Sequence, residues 1–115
     1  MFDYSNDLVS ALNTILPTHY ELALTPKTEI PCISWQERNN YTTTESSSNL
    51  AYSRITYTIK VWGKDLNELN YYAAEIDKTL RPIGFRRTSS GELYDIHSGL
   101  IQKILTFECL AYEHY

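Results

Sequence analysis

Three histidines, His19, His97 and His114, are the residues best suited to proton transfer or metal binding in this chain. None has a second ligand at i+2, i+3 or i+4 in a recognisable metal-site pattern, so no metal is expected. Asp95, His97 and Ser98 crowd into the segment DIHSG. A Ser/His/Asp triad needs side chains that converge from different elements, and four neighbouring turn residues cannot supply that geometry. The segment reads as a solvated turn. Asp3, Asp7, Glu21 and Glu29 have no spacing that implies paired acid-base work. Cys32 and Cys109 belong to no CxxC or Cys/His cluster and read as small buried hydrophobes in a reducing compartment. Gly63, Gly84, Gly91 and Gly99 stand singly at the ends of elements and form no phosphate loop. Neither an enzyme nor a cofactor is expected.

The remaining candidates are contact residues. Arg86 and Arg87 are adjacent on a strand and therefore point to opposite faces, so they cannot form one basic patch. One suits an ion pair with a carboxylate and the other suits solvent, with a phosphate contact as the rival reading. Trp62 falls on the polar face of its strand with Arg54 and Lys60. Its indole is expected to lie either under a polar loop or in a subunit interface, where Trp, Tyr and Arg are favoured. Tyr71 lies opposite the apolar stripe of its helix, beside Ala74, Glu75 and Lys78, which makes that stretch a candidate contact face.

The elements that hold these residues follow from periodicity. Leu8, Val9, Leu12, Ile15 and Leu16 share one face of a helix from about Ser5 to Leu16, which Pro17 ends. Short strands follow at Tyr20–Leu24 and Cys32–Gln36, separated by a turn punctuated with Pro26 and Pro31. Residues Glu37 to Asn49, ERNNYTTTESSSN, hold almost nothing for a core. They are expected to form a polar loop around Tyr41. It reads either as the tip of a long hairpin or as a segment that orders against a partner.

From Ala51 the alternation is regular. Ser53, Ile55, Tyr57, Ile59 and Val61 share one face, and Arg54, Thr56, Thr58, Lys60 and Trp62 share the other, as in a half-buried antiparallel strand. Gly63 ends it. Asp65 caps a second helix to about Arg81, with Leu66, Leu69, Ala73, Ile76 and Leu80 as its apolar stripe. A strand begins at Phe85 and is expected to turn at Ser89-Ser90-Gly91. A second turn at His97-Ser98-Gly99 leads into a last strand, Leu100 to Tyr112. The expected fold is α+β: an antiparallel sheet with two helices on one face, in the order α-β-β-β-α-β-β.

A chain of 115 residues with 43% hydrophobic content fits a single domain spanning residues 1–115. A net charge of -4 argues against a general nucleic-acid binder, which needs clustered Lys and Arg. Ten tyrosines suit contact surfaces and half-buried sheet faces alike. The start MFDYSND lacks a signal peptide's basic and apolar regions, and no apolar run approaches the roughly 20 residues that span a bilayer. A soluble protein made in the cytoplasm, without membrane contact, is expected.

YTIKVWGKDLNEL, LRPIGFRRTSS and the closing strand LIQKILTFECLA resemble the tail-completion proteins of long-tailed bacteriophages, the tail terminators and tail-to-head joining proteins. In that family an aromatic-x-Ile-x-Val-Trp strand leads into a helix followed by Gly-Phe. The resemblance implies a structural virion protein of the tail or neck, assembled in the host cytoplasm, with neither catalytic residues nor a cofactor. It further implies a homohexameric ring that caps the finished tail tube and meets the head connector, with DNA passing through unbound. Trp62, Tyr71, Glu75, Lys78, Arg86 and Arg87 would then serve subunit contacts, and Tyr41 would order against the tube or neck. Two alternatives stay open: a head-side stopper or neck protein, and a cytosolic α+β module that binds a small ligand or peptide.

Overall fold

The apolar face of the central strand is the plane on which the molecule is built. In the computed structural model, which describes residues 5–25, 27–45 and 50–114, Ile55, Tyr57, Ile59 and Val61 are all fully buried. At Leu22, and over 39–45, 50–53 and 110–114, only the backbone is described. The elements run α1 (Ser5–Asn13), β1 (Thr18–Tyr20), a 3₁₀ turn (Glu21–Ala23), β2 (Cys32–Glu45), β3 (Leu50–Gly63), α2 (Leu66–Leu80), a second 3₁₀ turn (Arg81–Ile83), β4 (Arg86–Tyr94) and β5 (Ile101–His114). This is an α+β fold in the expected order. The sheet order is β1-β2-β3-β5-β4.

Helices α1 and α2 lie on the face that carries Ile55 to Val61. Leu8 and Leu12 of α1, with Leu69, Ile76 and Leu80 of α2, close over Ile33, Leu105 and Phe107 from neighbouring strands. Burying each such side chain contributes about 1.5–3 kcal/mol, so this two-layer contact dominates the stability. Asp65 caps α2 by accepting a hydrogen bond from the Asn67 amide at 3.0 Å. Its far end closes in a Schellman motif: Phe85 N–H reaches Leu80 O at 3.2 Å, and Gly84 N–H reaches Arg81 O at 3.1 Å. Gly84 sits at φ 100°, a left-handed conformation that only glycine adopts without strain. The motif delivers Phe85 into the core, 5.8 Å from the Tyr57 ring.

Four features differ from the expectations. Glu37–Glu45 is not loop but the outer half of β2, paired with β3 as far as Glu45↔Leu50 after a register shift between Glu37 and Asn39. Strand pairing uses backbone groups, and a Thr-rich segment suits it even where no side chain is needed for a core. Residues 46–49, the rest of the expected loop, lie outside those described. Ser89-Ser90-Gly91 does not turn the chain but continues β4, an edge strand on which a glycine need pack against nothing.

The strand expected at Tyr20–Leu24 starts earlier, at Thr18, and gives way to the 3₁₀ turn. It also pairs in parallel with β2, Thr18↔Ile33 to Tyr20↔Trp35, so the sheet is mixed rather than wholly antiparallel. The connection through Glu21 to Pro31 supplies the crossover of about a dozen residues that a parallel pair requires.

Candidate subunit interface

The sheet face turned away from the helices carries a polar anchor. Antiparallel pairing sets Cys32 beside Trp62 and Ser34 beside Lys60. The Trp62 indole Nε1–H donates to the fully buried Ser34 hydroxyl at 2.8 Å. Lys60 Nζ stands 5.8 Å from the Trp62 ring centroid and 2.6 Å from the Glu21 carboxylate. That ion pair holds the Glu21–Pro31 connection against the sheet. Between connection and sheet lies a mostly apolar cavity of about 290 Å³, lined by Leu24, Thr25, Thr28, Ile30, Cys32, Trp62 and Leu100. Trp62 is thus half-covered by this connection, not by the segment around Tyr41.

Helix α2 presents the second candidate surface on the opposite side of the sheet. Tyr71 is 61% exposed and meets Tyr72 edge-on, with ring centroids 5.5 Å apart. Glu75 is half-buried and Lys78 exposed, at i+4 and i+7 from Tyr71, so the three make one stripe. The fold therefore does not bring Trp62 together with Tyr71, Glu75 and Lys78. It separates them by the thickness of the sheet.

Arg86 pairs with Glu108 across the β4–β5 ladder, while Arg87 stands opposite Phe107 and is exposed. One of the two arginines meets a carboxylate and the other faces solvent. A cavity of about 460 Å³ adjoins them, lined also by Asp77 and Arg81, but Arg81 is already paired with Asp77. With two of its three guanidiniums neutralised, the cavity is a weak place for a phosphate. Tyr41 lies in β2 opposite Arg54, and its side chain is outside the described part of the chain.

Sequence reasoning missed the third surface. All nine residues of β4 are exposed, and Leu93 (59%), Tyr94 (62%) and Ile96 (75%) project at its end. The signal was present in GELYDI, where three large apolar residues sit beside a turn. Asp95 shapes that turn. Its carboxylate accepts from the His97 amide at 3.0 Å and from the Ser98 hydroxyl at 2.9 Å. Its backbone exchanges bonds with Leu100 and Gly99 at 2.9 and 2.8 Å. The His97 amide first, and then the Ser98 hydroxyl, hold the Asp95 carboxyl below its usual range. Asp95, His97 and Ser98 thus build a turn through backbone amides and a hydroxyl.

Among the described residues, no three His, Cys, Asp or Glu side chains gather as metal ligands. Burial pushes the Cys109 thiol up to about 11, with the neighbouring Glu108 charge adding to the shift, and burial also raises Cys32. Both are free thiols without the electropositive surroundings of a reactive cysteine. No helix among the described residues is long and apolar enough to cross a membrane.

No family model matches the chain, and no curated protein is significantly similar to it.

Proposed function

We propose that this chain is a tail-completion protein of a long-tailed bacteriophage, a structural virion protein whose ring caps the tail tube and joins it to the head connector. The observation that carries the reading, beside the motifs quoted above, is the pair of open sheet edges. On one side, β4 offers nine exposed residues. On the other, β1 pairs with β2 only from Ile33 to Trp35, and no further strand among the described residues runs along that side of β2. Strand edges of this length invite pairing with another chain.

The two edges also run in opposite directions, because β4 is antiparallel to β5, β5 to β3, and β3 to β2. A second copy related by rotation about an axis along the strands would set its β2 edge antiparallel to β4 of the first. Repetition of that heterologous contact closes a ring and covers part of each edge, with Arg86–Ser89 of β4 level with Gln36–Asn39 of β2. The ring takes the tail tube below and the connector above as partners.

The test is electron microscopy of particles made after deletion of the gene from its phage. Overlong tails beside headless or tailless products are the expected outcome. Normal-length free tails beside leaking heads would move the protein to the head-side stopper or neck position. Intact virions would overturn the virion reading.

The ligand-module reading is favoured by one specific observation, the cavity of about 290 Å³ walled by Trp62, Ile30 and Leu24. It is small against the roughly 300–1,000 Å³ of most ligand sites and lacks convergent charged groups, so the ring reading is preferred.

A further inference from the structure

We infer that the cavity beside Trp62 receives the apolar turn between β4 and β5 of a second copy of this chain, with Ile96 as the inserted side chain. The contact rests on the ring reading only in requiring that copies meet head to tail; it does not depend on where the ring sits.

The first argument is position. Leu93 pairs with Gln102, Gln102 with Trp62, and Trp62 with Cys32, so the projecting end of β4 and the cavity floor lie in one cross-strand row. Leu93 and Trp62 are two strand spacings apart, about 10 Å. A cyclic rotation about an axis along the strands preserves height, so the turn of one copy arrives at the level of the cavity in the next.

The second argument is shape and chemistry. Ile96, at 75% exposure, is the most exposed large apolar residue among those described. The cavity of about 290 Å³ has room for such a side chain, and Leu24, Ile30, Cys32 and Trp62 give it apolar walls. The Asp95 network fixes the turn before any partner arrives, so little ordering entropy is lost on insertion.

Two exposed positions carry the test. Ile96→Glu disables the inserted side chain and keeps the cavity; Ile30→Glu charges the cavity wall and keeps the turn. Each purified variant is first shown by thermal melting to fold as the wild type does, and masses are then followed by sedimentation. Wild type is expected to associate with rising concentration. Each variant alone is expected to associate roughly 30-fold or more weakly. An equimolar mixture of the two is expected to form one-to-one dimers and nothing larger, since one intact turn still meets one intact cavity.

A wild type that stays monomeric at about 1 mM, the weak end of specific association, would overturn the contact. So would variants that assemble normally, or a mixture without dimers. An Ile30→Glu protein that still dimerises while Ile96→Glu does not would point instead to symmetric β4-to-β4 pairing. The deletion phenotype is read separately, so overlong tails with this contact absent would leave the ring reading standing and remove only this inference.

Discussion

Trp62 and Ser34 form a side-chain bond of 2.8 Å across the β2–β3 ladder, on the sheet face that no helix covers. Ser34 is fully buried there, and the bond satisfies an indole donor that would otherwise be half-withdrawn from water. Leaving one such buried group unpaired costs about 1–3 kcal/mol. Ser34→Ala and Trp62→Phe are each expected to lower stability by that order, with the double variant losing less than the sum. Urea unfolding of the four proteins in a double-mutant cycle measures the coupling. Strict additivity would mean that the bond contributes nothing and that Trp62 acts by packing alone.

Gly84 and Gly91 give the second expectation, because their backbones differ although their surroundings do not. A Cβ at either position meets nothing within 4 Å, but only Gly84 of the two has a positive φ, 100°. The left-handed conformation costs an L-residue about 1–2 kcal/mol. Gly84→Ala is therefore expected to lower stability by about that much. Gly91→Ala, on an exposed edge strand, is expected to stay within about 0.5 kcal/mol of wild type. Equal effects would place the cost in packing and contradict the Schellman geometry.

The parts of the fold legible in the sequence are those where burial imposes a period. Ile55, Tyr57, Ile59 and Val61 alternate because one face of β3 meets the helices, and Leu69, Ala73, Ile76 and Leu80 follow helical spacing because α2 lies on that face. The segments that differ are those whose extended conformation depends on a neighbouring strand. Glu37–Glu45 is strand because β3 offers it an edge; its threonines suit a strand, but it carries no alternation of apolar residues to mark a buried face. Ser89-Ser90-Gly91 reads as a turn by residue type, yet β5 keeps it extended.

The candidate contact surface was only partly legible for a related reason. Tyr71 shows itself by lying off an apolar stripe, whereas the cavity beside Trp62 depends on where the Glu21–Pro31 connection folds back. Periodicity carries no information about such a crossover.

Asp95 supplies a pH dependence whose sign follows from its hydrogen bonds. Its carboxyl is held below the ordinary range by the His97 amide and the Ser98 hydroxyl, so the native turn favours the charged form. A depressed native value contributes stability that is present above the unfolded value of about 3.9 and is lost as pH falls through the lower native value. The turn is therefore fully supported at neutral pH and loosens only in acid. Asp95→Asn removes this titration. Below about pH 4, the stability gap between wild type and variant is expected to shrink, followed by thermal melting across a pH series. A gap constant down to strong acid would show that the carboxylate charge plays no part in the turn.

Tyr71 separates the two surfaces that a ring could use. Its ring is 61% exposed and touches Tyr72 edge-on, so Tyr71→Ala is expected to lower monomer stability by no more than about 1 kcal/mol. If the stripe with Glu75 and Lys78 forms a lateral contact, the same change weakens self-association by roughly 30-fold, as loss of a central tyrosine does in many interfaces. If the β4–β5 turn and the Trp62 cavity carry the contact without the helix, association is unchanged while Ile96→Glu abolishes it. Sedimentation of the two variants under identical conditions decides between them. A large fall in the melting temperature of Tyr71→Ala, with association intact, would assign Tyr71 to the support of Tyr72 within its own chain and remove the helix face from the interface.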